Sequence, residues 1–120
     1  MDNKGIKEAI QIYFDATNVS SAELMAEVFH DIAHLYQPGE DNGVLDWDKD
    51  FFMGIMDSGE PVPPDKIVNE ILAIDYTSEE TAVVRLKVRV RDMIYTDILS
   101  FIRLNGRWWI IAKLAAGVQI

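Results

Sequence analysis

The chain contains no cysteine, which removes disulfides, thiolate metal sites and cysteine nucleophiles from its chemistry. It has no glycine-rich phosphate loop and no serine-elbow motif, so nucleotide hydrolysis and α/β-hydrolase chemistry have no basis in the sequence. No apolar run is long enough to span a bilayer. Met1-Asp2-Asn3-Lys4 leads straight into an amphipathic pattern without the apolar stretch of a signal peptide, so the expected location is cytoplasmic. Basic residues are scarce: 11 Lys and Arg face 20 Asp and Glu. The resulting charge of −9 argues against nucleic acid or an anionic membrane as partner.

What remains is ordinary globular material, 49% apolar and 26% charged over 120 residues, enough for a core without covalent staples. One domain over residues 1–120 is expected. The charge is uneven: residues 1–60 carry 13 acidic and 3 basic side chains, residues 61–120 carry 7 and 8. Helices that display more acidic surface than strands account for this, and attraction between the halves is the alternative.

Ile6, Ala9, Ile10, Tyr13, Phe14 and Thr17 recur at helical spacing, which predicts an amphipathic helix over residues 4–18. Ser20 with Glu23 forms a capping-box pattern that opens a second helix reaching about residue 30. Residues 33–36 read as a short strand and residues 40–43 as a turn. Asp46 or Asp48 can cap a third helix carrying Phe51, Phe52, Ile55 and Met56, with Gly59 at its end. Beyond Pro64 the apolar period changes to two. Strands are expected over residues 67–76, 81–91, 94–104 and 107–116, with Asn105-Gly106 as a tight hairpin turn. Helices first and strands second give an α+β fold, with N-terminal helices packed on a curved antiparallel sheet.

A two-residue turn at Asn105-Gly106 pairs Arg103 with Trp108, Phe101 with Ile110, Leu99 with Ala112 and Asp97 with Leu114. The preceding strand then sets Val84, Leu86, Val88 and Val90 beside Tyr95, Asp97, Leu99 and Phe101. Asp97 therefore falls on the apolar face that the helices cover. A carboxyl there is costly unless it is hydrogen-bonded, paired or protonated, which makes Asp97 the first candidate for chemistry. The opposite face carries Arg85, Lys87, Arg89 and Arg91 together with Ile98, Ile102, Trp109, Ile111 and Lys113. Apolar side chains gathered on an outer face mark an interface, and a two-fold homodimer through Trp109 and Ile111 is expected.

Helix, helix, short strand, helix and a four-strand meander resemble the nuclear transport factor 2-like superfamily, a cone with a pocket between helices and sheet. The likeness covers nearly the whole chain. It is carried by Ile6-Lys7-Glu8-Ala9-Ile10-Gln11-Ile12-Tyr13-Phe14, by Phe29-His30-Asp31-Ile32-Ala33, by Tyr95-Thr96-Asp97-Ile98-Leu99 and by Gly106-Arg107-Trp108-Trp109-Ile110-Ile111-Ala112-Lys113. These stretches are most similar to small bacterial members named putative lumazine-binding or SnoaL-like. The superfamily hosts isomerases, dehydratases, cyclases and binding modules, so the resemblance implies a fold more than an activity. Ketosteroid isomerases in it pair a helix-1 tyrosine with a strand aspartic acid as an oxyanion hole, and add an Asp base on the first short strand. That resemblance assigns Tyr13 and Asp97 to the first two roles. It puts the base at Gln37, which cannot abstract a proton.

Among the remaining candidates, His34 could face the pocket as a general base, with Asp31 as its substitute. His30 and His34 lie four apart, a helical metal spacing, but two ligands make too thin a site and no metal is expected. Asp46, Asp48 and Asp50 mimic the start of a calcium loop without its glycine or its closing Glu, and helix capping explains them better. Arg103 beside Trp108 suggests a cation–π pair at the sheet edge. Two functions follow. One is a cofactor-free binding module for a small hydrophobic or aromatic molecule, lined by Tyr13, Trp47, Phe51, Tyr95 and Asp97. The other is an isomerase-, dehydratase- or cyclase-type enzyme using Asp97 and Tyr13, with His34 or Asp31 moving the proton.

Overall fold

The structure is a computed structural model that describes residues 4–120. Helix α1, Lys4–Val19, buries Ile6, Ala9, Ile10, Tyr13, Phe14 and Ala16, the stripe its apolar period requires. Helix α2 is a single turn, Ala22–Met25. Its cap is Ser21, whose hydroxyl accepts the Leu24 N–H at 3.1 Å, and not the expected Ser20. Ser20 has φ +55° and donates instead to the Met56 carbonyl at 2.7 Å, tying the helix connection to α3. Helix α3, Lys49–Ser58, is capped by Asp48, which accepts the Phe51 N–H at 2.9 Å. It closes at Gly59, where a Cβ would stand 2.3 Å from the Ser20 hydroxyl.

Six strands make one sheet: β1 (Phe29–Pro38), β2 (Val44–Asp48), β3 (Asn69–Tyr76), β4 (Thr81–Val90), β5 (Met93–Leu104) and β6 (Arg107–Gln119). Their order is β2-β1-β6-β5-β4-β3. The expected α+β cone is present, but its sheet is mixed: β1 runs parallel to β6, while the other neighbours are antiparallel. The strand expected at residues 33–36 begins four residues earlier, at Phe29, because α2 stops after one turn. Strand β2 pairs with β1 at the sheet edge, around a turn of 3-10 helix at Glu40–Asn42. Asn105 (φ +52°) and Gly106 (φ +77°) form the anticipated tight turn between β5 and β6.

Strands β4 and β5 keep the expected shared face, and their pairing sets Val84 opposite Leu99, Leu86 opposite Asp97 and Val88 opposite Tyr95. The β5–β6 register is as expected only from the turn as far as Phe101 and Ile110. There Ile111 is an extra residue, a β-bulge, and the pairing resumes as Ser100 with Ala112, Leu99 with Lys113 and Asp97 with Ala115. A one-residue shift turns every later side chain to the other face. Lys113, expected on the outer face, therefore points inward, and Ala115 rather than Leu114 sits beside Asp97.

Helices α1 and α3 cover the inner face, α1 against β4 and β6, α3 against β1 and β2. Phe29, Leu35, Leu86, Leu99, Phe101 and Ile110 are buried between the layers. Each such side chain contributes about 1.5–3 kcal/mol from removal of apolar surface from water. The hydrophobic layer is continuous except at two polar residues of the sheet, Asp97 and Lys113. Among the described residues, no helix is long and apolar enough to cross a membrane.

Candidate functional site

The two polar residues stand together. Asp97 is 0% exposed and Lys113 is 9% exposed, with Nζ 3.8 Å from the Asp97 Oδ2. The period of β5 brings Asp97 inward between Leu86 and Ala115, and the bulge on β6 brings Lys113 to the same side. From above, Tyr13 of α1 donates its hydroxyl to Asp97 Oδ2 at 2.5 Å. Asp97 Oδ1 is buried and has no hydrogen-bond partner among the described residues.

Nζ of Lys113 makes no hydrogen bond among the described residues. Besides Asp97, it lies 4.8 Å from the centre of the Phe52 ring and 5.3 Å from that of Tyr13. Burial lowers the proton affinity of the Lys113 amine below its ordinary value, and Asp97 opposes that shift. Burial raises the Tyr13 hydroxyl well above its ordinary value. The adjacent Asp97 charge and the hydrogen bond to Asp97 add to the rise, and Thr17 opposes it. Tyr13 is thus held as a neutral donor.

Beside this triad a cavity of about 440 Å³ opens between the helices and the inner face of the sheet. Asp97, Lys113 and Ala115 form part of its wall, with Leu35 and Gln37 from β1 and Val88 from β4. Trp47, Phe52 and Met56 line the α3 side, and Tyr95, Met93 and Arg91 line the end near the β4–β5 turn. The wall is mainly apolar and carries a small number of polar side chains, among them the buried Asp97 and Lys113 as well as Gln37, Glu60 and Arg91, the arrangement of a small-molecule site.

Trp47, Tyr95 and Asp97 thus stand on the cavity wall as the sequence suggests. Tyr13 lies behind Asp97 in the core and does not line the cavity. Phe51 is 54% exposed and packs against the Trp47 ring from outside, because the α3 turn that buries Phe52 turns Phe51 away. His34 alternates outward on β1, since Ala33 and Leu35 take the inward positions. Its Nδ1 lies 2.6 Å from Asp46 Oδ1, so it is not placed to act in the cavity. Asp31 is exposed and bonded to Lys49 at 2.7 Å, which holds its carboxyl below the ordinary value. His30 is on the strand, not a helix, and meets Trp109 edge-on. Arg107, not Arg103, makes the cation–π contact, 4.3 Å over Trp109.

Lys113 is the site residue that the sequence pattern sets on the wrong face of the sheet. Trp108 to Ala112 are apolar at every position, so alternation alone does not fix the register there. The one available signal was Asp97 itself, a carboxyl on a buried face in need of a cation.

A model of the family described as "Putative lumazine-binding" matches residues 1–114. Among solved structures, an NTF2-like protein from Shewanella baltica has 18% identity and a TM-score of 0.89, covering 98% of this chain and 94% of that one. An NTF2-like protein from Silicibacter pomeroyi has 14% identity and a TM-score of 0.84, covering 96% and 94%. A ketosteroid isomerase-like protein from Erwinia carotovora atroseptica has 18% identity and a TM-score of 0.75, covering 98% and 96%. At these identities the likeness is one of fold. No curated protein matches the chain. By its sequence match over nearly the whole length, the chain belongs to the putative lumazine-binding family, and its α+β cone has the NTF2-like fold.

Proposed function

We propose that this protein binds a small, planar, largely apolar molecule in the cavity between α3 and the sheet. The observation that carries the reading is the cavity's composition: a mainly apolar space of about 440 Å³ with the buried Asp97 and Lys113 side by side on its wall. An Asp97 oxygen and a Lys113 amine that have no hydrogen-bond partner among the described residues are the kind of groups a ligand's polar edge satisfies. Trp47 and Tyr95 offer flat surfaces for a ring. The family's name points to a pteridine, a flat heterocycle whose carbonyl and N–H groups suit such a pair. An isomerase reading has less support, because Gln37 stands on the wall where a base is needed, while His34 and Asp31 face outward.

A thermal-shift panel of pterins, flavins, steroids and polyketides tests this reading, since a ligand that binds only the folded state raises the melting temperature. At least one class is expected to stabilise the wild type and to lose most of its effect on Asp97→Asn. A panel without a stabiliser, or one that stabilises both proteins equally, contradicts the reading.

The outer face of the sheet supports a second copy of this chain as partner. Ile98 and Leu114 are paired there, exposed, near half-buried Ile102, Trp109 and Ile111. Lys113 is no part of that surface.

A further inference from the structure

Lys113 is placed as a reacting group. We propose that its amine captures an aldehyde bound in the cavity, forming a reversible imine. The inference rests on the cavity being a ligand site and adds the chemistry of what enters it.

Three features of the site support it. An ammonium ordinarily satisfies its three hydrogens with acceptors, yet Nζ of Lys113 has none within hydrogen-bonding distance among the described residues. Its surroundings are the rings of Phe52 and Tyr13 and the Asp97 carboxyl at 3.8 Å, and its side chain lines the cavity. Desolvation in such a place favours the neutral amine, the form that attacks carbonyl carbon. Second, a proton carrier stands beside it: the Asp97 carboxyl, whose Oδ2 lies 3.8 Å from Nζ and accepts from Tyr13, and whose Oδ1 has no hydrogen-bond partner among the described residues. Third, an anionic ligand reaching Nζ would stand against the buried Asp97 carboxyl, so a neutral carbonyl compound fits the site better than a carboxylate or phosphate.

The step balances without a further reagent. The nitrogen lone pair forms the C–N bond while the C=O π pair moves to oxygen. Asp97 takes the two amine protons in turn and passes both to that oxygen, the first giving the carbinolamine and the second letting it depart as water as the nitrogen lone pair forms the C=N bond. Hydrolysis reverses the sequence.

The test is reductive trapping on the whole protein. Wild type is incubated with benzaldehyde and sodium cyanoborohydride at pH 7, and labelled lysines are located by peptide mass mapping. Lys4, Lys7, Lys49, Lys66 and Lys87 serve as internal references. Benzylation at Lys113 is expected to lead each of them, since burial lowers the amine's proton affinity and so raises its neutral fraction at pH 7. Label spread over the lysines without preference for Lys113 at pH 7 overturns the proposal. So does an unchanged level of labelling in Lys113→Met. If benzaldehyde alone raises the melting temperature while Lys113 shows no preference, the amine chemistry fails and the ligand-site reading stands. If benzaldehyde and the ligand panel give no stabilisation and Lys113 shows no preference, both fail.

Discussion

Replacing Tyr13 by Phe removes one oxygen atom from the core and leaves the ring in place. The hydroxyl is the only hydrogen-bond donor to Asp97 among the described residues, at 2.5 Å, and both side chains are 0% exposed. Without it neither carboxyl oxygen has a hydrogen bond among the described residues, with Lys113 at 3.8 Å as the remaining polar contact. A hydrogen bond to a charged group contributes about 1.5–3 kcal/mol, and stranding the buried partner costs in the same range. Tyr13→Phe should therefore lose about 2 kcal/mol in urea unfolding, with a fall of about 8 °C in melting temperature for a chain of this size.

The effect should disappear largely in an Asp97→Asn background, giving a coupling energy of about 1 kcal/mol or more in a double-mutant cycle. The pH dependence gives an independent check. The folded-state pKa of Tyr13 is raised above its ordinary 10.0, so the folded chain keeps a proton that the unfolded chain loses. That contribution is full below pH 10 and is lost as the pH rises beyond it, and Tyr13→Phe should lack the loss. A Tyr13→Phe protein within about 0.5 kcal/mol of wild type, or one showing no coupling to Asp97, would refute the reasoning.

Lys113→Met tests the buried amine by a different sign. The folded-state pKa of Lys113 lies below its ordinary 10.5, so the unfolded chain binds more protons between the two values and wild-type stability gains with pH there. Urea midpoints at pH 7 and at pH 10 should show wild type gaining on Lys113→Met as pH rises, and a constant difference would contradict this. Trp109→Glu sets a charge on the outer face, and size-exclusion chromatography with light scattering should show a dimer converted to monomer. A dimer of unchanged mass means that copies meet elsewhere. Asp48→Ala removes the α3 cap seen on the Phe51 N–H and should cost about 1 kcal/mol in chemical denaturation. No loss would mean that solvent serves this helix end equally well.

The parts of the fold legible in the sequence are those where one physical signal dominates. The α1 stripe from Ile6 to Phe14 has a single possible face, and Asn105-Gly106 allows a single tight turn. Strand β2 is less legible, because Val44-Leu45-Asp46-Trp47-Asp48 is short, acidic and immediately precedes a helix that Asp48 caps. The length of α2 was overread, since Leu24, Met25, Val28 and Phe29 keep helical spacing although the chain leaves the helix after one turn. The site was half legible. Asp97 is conspicuous as a carboxyl among inward apolar residues, and Tyr13 follows from the helix stripe and the family likeness. Lys113 was hidden because a bulge without glycine, among residues apolar on both faces, leaves no local trace in the sequence. His34 was misread for the complementary reason: inward Ala33 and Leu35 decide its face, and a histidine's own chemistry does not.

Whether a ligand occupies the cavity is tested most directly by the indole N–H signals of the three tryptophans. Trp47 lines the cavity, Trp108 is buried near the α1 end of the core, and Trp109 is on the outer face under Arg107. Titration of the best stabiliser from the panel into ¹⁵N-labelled protein should move the Trp47 signal and leave those of Trp108 and Trp109 in place. A Trp109 signal that shifts while Trp47 stays fixed would place the ligand on the outer face and contradict the account.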